Sequence, residues 1–210
     1  MTRLLRLLFD WLYGPFAWTY DAVAWLVSAG QWRTWQRAVL PLLPAGPVLE
    51  IAHGTGNLLA DLLAQGRPAI GLDRSPQMGR IARRKLLRRA PLPSAPLLRA
   101  DARALPFAAG CFPAVVATFP AEFIADPRSA REAARVLAPG GRLVGALGAW
   151  ITGNSLPDRA ARLLFRLFGQ AAPDLPERLL APFRAIEWRA ARFEAVALPR
   201  SRVQVLIAEK

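Results

Sequence analysis

Two rhythms of apolar residues divide this chain. From residue 48 onward, short and nearly unbroken apolar runs recur: Val48-Leu49-Glu50-Ile51, Pro68-Ala69-Ile70-Gly71-Leu72-Asp73, Leu97-Leu98-Arg99, a run between Pro113 and Thr118, and Arg142-Leu143-Val144. Such runs, without polar alternation, predict strands buried on both faces, as in parallel sheets. Between them apolar residues repeat at helical spacing, through Ala60, Leu62 and Leu63 and through Met78, Ala82 and Leu86. Strand and helix in alternation predict an α/β domain. Arg189 to Lys210 reads as two more strands joined near Pro199-Arg200-Ser201, giving seven, and Leu156 to Phe168 reads as a helix with Leu163, Leu164 and Leu167 inward.

Before residue 47 the pattern is helical throughout. Leu5, Leu8, Phe9 and Leu12 share one stripe and Arg3, Arg6 and Asp10 the other, an amphipathic helix that Gly14-Pro15 ends. A second helix runs through Tyr20, Val23, Ala24 and Val27 to near Gly30, and a third from about Trp32 to Leu40. Five of the seven tryptophans, Trp11, Trp18, Trp25, Trp32 and Trp35, fall in this region. Residues 1–46 therefore read as a helical cap or lid on a domain formed by 47–210, one structural domain in all. Asp10, Gly14-Pro15 and Asp21 interrupt any membrane span, which needs about 20 consecutive apolar residues, and Asp10 also breaks a secretory core. The expectation is a cytoplasmic chain, with peripheral membrane contact through Arg3, Arg6 and the first helix as an alternative to packing on the sheet.

The turn after the first strand carries the chemistry. Glu50-Ile51-Ala52-His53-Gly54-Thr55-Gly56-Asn57 is an acidic residue followed by a glycine-bearing loop, with Asn57 expected to cap the next helix and Gly66 to end it. A dinucleotide fingerprint begins with Gly54-x-Gly56 but needs a third glycine for close helix packing, where Leu59 stands. Asp73 ends the second strand about 20 residues past the loop, where one carboxylate can accept from both hydroxyls of a ribose. Ser75-Pro76 then reads as a helix N-cap with proline at the first position, and Asp101 ends the third strand.

These segments together resemble the Rossmann-like S-adenosylmethionine-dependent methyltransferases. The resemblance runs from Val48 to Val144 through the acid-x-Ala-x-Gly-x-Gly loop, Asp73, Asp101-Ala102-Arg103-Ala104-Leu105-Pro106-Phe107 and Pro139-Gly140-Gly141. It is nearest to the ubiquinone/menaquinone-biosynthesis type, through Ser75-Pro76-x-Met78, Leu105-Pro106-Phe107 and the Pro-Gly-Gly turn. Two departures stand out: Ala52 replaces the first glycine, and Pro113 replaces an Asp before the fourth strand. The resemblance implies a mostly parallel seven-stranded sheet with helices on both faces and an N-terminal helical cap. It implies S-adenosylmethionine as cofactor, held by Glu50, Ala52, His53, Gly54, Gly56, Asp73, Arg74, Asp101, Ala102 and Phe119. Asp101 would accept from the adenine amino group, with the Ala102 N–H at the ring. The segment before the first strand covers the acceptor pocket in that family, and Tyr20-Asp21 looks like a pair common there. Trp18 and Tyr20 are therefore expected at a small, apolar or lipid-like acceptor.

Composition narrows the alternatives. The net charge of +13 invites a polyanion, yet Lys occurs only at Lys85 and Lys210, so 26 of 28 basic residues are Arg, as coding bias would produce. The densest cluster lies on one helix, where Arg80, Arg84 and Arg88 form a face opposite Met78, Ala82 and Leu86. Thr118-Phe119-Pro120-Ala121 lacks the Asn-Pro-Pro-aromatic motif of nucleic-acid methyltransferases. That class stays open on charge alone, and a non-catalytic protein of the same fold stays open on Ala52 and Pro113. Cys111 and His53 are the only residues of their kinds, too few for a disulfide or zinc. For a proton-accepting base, His53 and Glu122 are the candidates.

Overall fold

The computed structural model describes residues 16–89, 95–119, 126–167, 186 and 188–210. The amphipathic helix expected over residues 4–12, and Glu122, lie outside the described residues. Seven strands form one sheet: β1 (Val48–Ile51), β2 (Ala69–Asp73), β3 (Leu97–Arg99), β4 (Phe112–Thr118), β5 (Leu137–Ile151), β6 (Ala190–Leu198) and β7 (Ser201–Glu209). Their order is β3-β2-β1-β4-β5-β7-β6. The pairs from β3 to β5 are parallel, while β7 joins β5 and β6 antiparallel. The helices are α1 (Tyr20–Val27), α2 (Trp32–Arg37), α3 (Asn57–Ala64), α4 (Pro76–Arg89), α5 (Pro127–Val136) and α6 (Leu156–Leu167).

Strand alternation divides the core into two layers. Leu49, Ile51, Val115 and Leu143 face one way and meet Ala130, Ala133 and Val136 of α5. Val48, Ala114, Val116 and Val144 face the other and meet Leu58, Leu59 and Leu62 of α3, Leu86 of α4 and Ala161 of α6. Trp35, Ala38, Val39 and Leu43 join that second layer, so the segment before β1 packs on the sheet. Trp35 is 1% exposed and its indole N–H donates to Ser201 Oγ at 2.8 Å.

Several expected details change. Asn57 does not cap α3: Gly56, at φ 75°, is the N-cap residue and Asn57 is the first helical residue, its amide turned to α1, α2 and α4. The C-terminus of α3 follows expectation, since Gly66 N–H donates to Leu63 O and Arg67 N–H to Leu62 O, the Schellman pattern around a residue at φ 71°. The third helix stops at Arg37 and continues as a 3₁₀ turn, Leu40–Leu42. Leu163 and Leu164 of α6 point outward at 58% and 40% exposure, and among the described side chains of that helix Asp158 and Ala161 are the buried ones. The side chain of Leu167, the third leucine expected inward, lies outside the described residues, and Asp158 takes the inward place by bonding Arg200, Ser155 and Gln31.

Pro113 and Pro139-Gly140-Gly141 share one irregularity. Phe112 pairs with Leu137 and Ala114 with Arg142, so residues 138–141 bulge out of β5 instead of forming a turn before it. Pro113, which has no N–H to donate, sits at that bulge.

Candidate functional site

The strand order reverses between β1 and β4, and in an open α/β sheet the crevice at such a point, beyond the strands' carboxyl ends, is where ligands bind. The loop Ala52–Gly56 leaves β1 at this edge. Its backbone is largely left-handed: Ala52, Gly54 and Gly56 have φ of 57°, 54° and 75°. Glycine suits such φ values, whereas Ala52 costs about 1–2 kcal/mol in them. A Cβ on Gly54 would meet nothing within 4 Å, so the loop backbone borders open space there. At Gly56 a Cβ would lie 2.8 Å from that of Ala82, which fixes how closely α4 approaches the loop.

Asp73, at the end of β2, holds the loop from the side. Its Oδ2 accepts from Gly54 N–H at 2.9 Å and its Oδ1 from Ser75 N–H at 2.8 Å. Each carboxylate oxygen keeps a further lone pair for a ligand hydroxyl. Ser75 caps α4 as expected, its Oγ accepting from Met78 N–H at 3.2 Å. Asp101, at the end of β3, bonds Arg103 N–H at 2.9 Å and is part-exposed. Behind it, the Leu105-Pro106-Phe107 backbone is pinned by α5: Glu132 accepts from Leu105 N–H at 2.6 Å, and Arg135 donates to Leu105 O and Phe107 O. Phe119, just past β4, has φ 49° and stacks on Trp32 at 4.6 Å between ring centroids. Non-glycine residues held at such angles recur at ligand clamps, where surrounding structure enforces them.

Glu50 is 1% exposed beneath this loop. A hydrogen bond from the Leu59 N–H, an otherwise free donor in the first turn of α3, supports one oxygen, while Oε2 has no partner among the described residues. Burial, with Asp73 and Asp61 nearby, raises its pKa well above the ordinary carboxylate range. His53 is 3% exposed. Its ring lies against Gly71, and its Nδ1 is 2.8 Å from Gly54 O, a contact that suits the Nδ1–H tautomer. Burial lowers its pKa despite the neighbouring Asp73.

Residue spacing does not reveal the contacts by which Asp21, singled out with Tyr20 by the resemblance, ties the N-terminal helices to this loop. Asp21 of α1 accepts from Thr55 Oγ1 at 2.6 Å, Asn57 Nδ2 at 3.0 Å and Lys85 Nζ at 2.7 Å. Burial works to raise the Asp21 pKa, but bonds from Lys85 and Thr55 outweigh it and keep the carboxyl below its usual value. Lys85 also reaches Thr55 and Asn57, and Arg33 of α2 bonds Asn57 Oδ1 at 2.7 Å and Asp61 at 2.6 Å. Of the residues expected at an acceptor, Tyr20 packs edge-on to Trp32 at 6.2 Å, and Trp18 is 74% exposed. Among the described residues no group of three or more His, Cys, Asp or Glu is placed to hold a metal.

Residues 48–141 match the family described as "Methyltransferase domain". The demethylmenaquinone methyltransferase of Thermus thermophilus is 44% identical over 119 residues, which are 54% of this chain and 52% of that protein. The chain thus spans about half the length of the curated relatives it matches. A crystal structure of an S-adenosylmethionine-dependent methyltransferase from Thermotoga maritima superposes with a TM-score of 0.60 at 21% identity, covering 95% of this chain and 99% of that one. Phosphoethanolamine N-methyltransferase 2 of Haemonchus contortus, in complex with S-adenosyl-L-methionine, superposes at 0.60 and 15% identity, covering 86% and 53%. Through its middle half this chain is similar in sequence to methyltransferases that include demethylmenaquinone methyltransferases, and its fold is that of the Rossmann-like S-adenosylmethionine-dependent methyltransferases.

Proposed function

We propose that the protein binds S-adenosylmethionine at the β1–β3 edge and transfers its methyl group to a small, lipid-like acceptor of the quinol kind. One observation carries the reading: a glycine loop open at Gly54 lies at the reversal of the sheet, with Glu50, Asp73 and Asp101 at or near the ends of three successive strands. Asp73 has lone pairs for the ribose hydroxyls, Asp101 has an exposed carboxylate for the adenine amino group, and Ala102 offers its N–H to the ring. The loop from Ala52 to Gly56, with Arg74 and Phe119 at its flanks, completes the pocket. The cofactor, when bound, supplies a methyl group already activated on a sulfonium. The protein's own work is then alignment and exclusion of water.

The chain's part would be to hold an acceptor with its nucleophilic atom toward that methyl group. A phenol or ring-carbon acceptor loses a proton. His53 is sequestered against Gly71, away from solvent, so its geometry favours holding the loop over accepting that proton. The acceptor reading is supported by the named relatives and by the aromatic surface of the N-terminal helices, where Phe16, Trp18 and Trp25 are 41%, 74% and 63% exposed. Residues 1–46 act on this reading as a lid.

Calorimetry with S-adenosylmethionine tests the site. Asp73→Ala and Asp101→Ala should each lose about 1.5–3 kcal/mol, the worth of hydrogen bonds to charged groups. Unchanged affinity in both removes the assignment. Methyl transfer to a demethylated quinol, measured with Trp18→Ala and Trp25→Ala, tests the lid: full activity in both refutes it.

A further inference from the structure

A cleft of about 270 Å³ lies outside the proposed cofactor pocket, lined by Asp21, Trp25, Trp32, Arg33, Asn57, Lys85 and Arg89. None of Glu50, Ala52, Gly54, Asp73, Asp101 or Phe119 lines it. Its walls come from α1, α2, α3 and α4. Three cations meet one carboxylate there. Lys85 spends its three N–H donors on Asp21, Thr55 and Asn57, and Arg33 spends part of its fork on Asn57 and Asp61. Arg89 has no carboxylate partner among the described residues. Two indoles border the same space, and the Trp32 Nε1–H is buried without a hydrogen-bond partner among the described residues.

Arg33 is paired with Asp61 and Lys85 with Asp21, so the charge left without a carboxylate in this concave, partly desolvated place is that of Arg89. Burial lowers the Arg33 pKa despite the attraction of Asp61, and Arg37 and Arg89 lower it further. Lys85 is likewise lowered, by burial first and then by Arg33 and Arg89, although Asp21 pulls the other way. An anion in the cleft would relieve this, and guanidinium groups suit an anion with several oxygens. The exposed face of Trp25 at the rim suits an apolar group attached to it.

We propose that this cleft is a binding site for a phosphate ester, its oxygens held by Arg89 and the free side of Arg33 and its organic part laid on Trp25. The source is either a soluble phosphate ester or the headgroup of an anionic phospholipid, the same chemistry presented from solution or from a bilayer. The cleft shares Trp25 with the aromatic surface proposed above for the acceptor, but phosphate binding is read directly and so stands or falls apart from methyl transfer.

The test uses the full chain with inorganic phosphate and glycerol 3-phosphate in calorimetry at fixed ionic strength, and flotation with phosphatidylglycerol or phosphatidylcholine vesicles. Arg89→Gln is compared with Arg84→Gln, an equal change of charge on the exposed face of α4 outside the cleft. Saturable binding that Arg89→Gln weakens about five- to tenfold, and Arg84→Gln leaves within twofold, is the expected result. Seen with glycerol 3-phosphate it identifies a soluble ligand, and seen only with phosphatidylglycerol vesicles it identifies a headgroup. Equal losses in the two variants would reduce the attraction to the general positive charge of the chain. That result overturns the proposal, as does the absence of binding to any of the four probes.

Discussion

Gly71 decides whether Leu59 and the glycine loop can coexist. A Cβ at residue 71 would stand 2.7 Å from Leu59 Cδ2, 3.1 Å from His53 Cδ2 and 3.2 Å from His53 Cβ. Leu59 is fully buried and His53 is 3% exposed, so neither has free space into which to retreat. Overpacking of this kind costs about 1–3 kcal/mol. Against it, alanine loses less chain entropy than glycine on folding, an offset of about 0.4–1 kcal/mol. The steric effect wins, and Gly71→Ala should destabilise by about 1–2 kcal/mol. At roughly 2–4 °C per kcal/mol for a chain of this size, the midpoint should fall by about 2–8 °C.

Urea denaturation with an unchanged slope reads the loss directly. A double-mutant cycle then tests its cause: Leu59→Ala, costly on its own, removes the methyl that the new Cβ would strike. The double variant should be more stable than the sum of the single losses predicts by about 1 kcal/mol. S-adenosylmethionine affinity should fall in Gly71→Ala alone, since His53 cannot move without carrying Gly54. A Gly71→Ala protein as stable as the parent, or a cycle with no coupling, would refute the packing argument.

Burial of Glu50 sets a pH dependence. Its folded pKa is raised above the unfolded value, so its contribution to stability is full below about pH 4.5 and is lost as pH rises toward the folded pKa, by up to about 1.4 kcal/mol per pH unit. Glu50→Gln should therefore gain stability relative to the parent between pH 5 and 8, and parallel pH–stability curves would count against a neutral carboxyl. His53 has the opposite sign: its pKa is lowered, so the stability it contributes is present above pH 6.5 and lost as pH falls. As the only histidine, it should give one imidazole proton resonance titrating below 6.5. Ala52→Gly relieves a left-handed alanine worth about 1–2 kcal/mol and gives back about 0.4–1 in chain entropy, so urea unfolding should show a gain of up to about 1.5 kcal/mol. Asp21→Ala leaves half-buried Lys85 unpaired and frees Thr55, so thermal unfolding should drop and S-adenosylmethionine binding weaken severalfold, whereas Asp21→Asn should recover part of each.

The sheet was legible because its signals are local. Unbroken apolar runs, strand-end acids and the Ser75-Pro76 start of α4 each lie within a few residues, and the solvated face of Arg80, Arg84 and Arg88 stands opposite buried Met78, Ala82 and Leu86 as the spacing requires. What spacing could not supply was the partner across space. Lys85 reads as one more charge in a basic helix, yet it is the residue by which α4 grips Asp21, 64 positions earlier. Leu59 reads as an obstacle to close packing, and the room for it comes from Gly71 on the neighbouring strand. Glu132 and Arg135 read as an ordinary helical pair, while their bonds hold Leu105 and Phe107. Asn57 shows the limit most directly: a residue type suited to capping forgoes the cap when three helices offer it better partners.

Those long-range contacts bear on how the two halves of the proposed reaction depend on each other. If the N-terminal helices were only a cover for an acceptor, removing residues 1–30 would spare the cofactor pocket. Asp21 argues otherwise, because its carboxylate bonds Thr55 and Asn57, the residues on either side of Gly56. Truncation also takes away Ser28, whose carbonyl oxygen accepts from the Gln31 side chain that in turn reaches Asp158 and, through it, Arg200 on the same face of the sheet. A truncated chain that fails to methylate would therefore say little about acceptor recognition. Point changes on the exposed indoles are the cleaner probe: Trp18 and Trp25 have most of their surface outside the core, whereas Trp32 and Trp35 lie inside it and hold Phe119 beside the end of β4. One segment thus contributes inward aromatics that shape the pocket and outward aromatics available to a ligand, and Asp21 fixes both sets in register with the glycine loop.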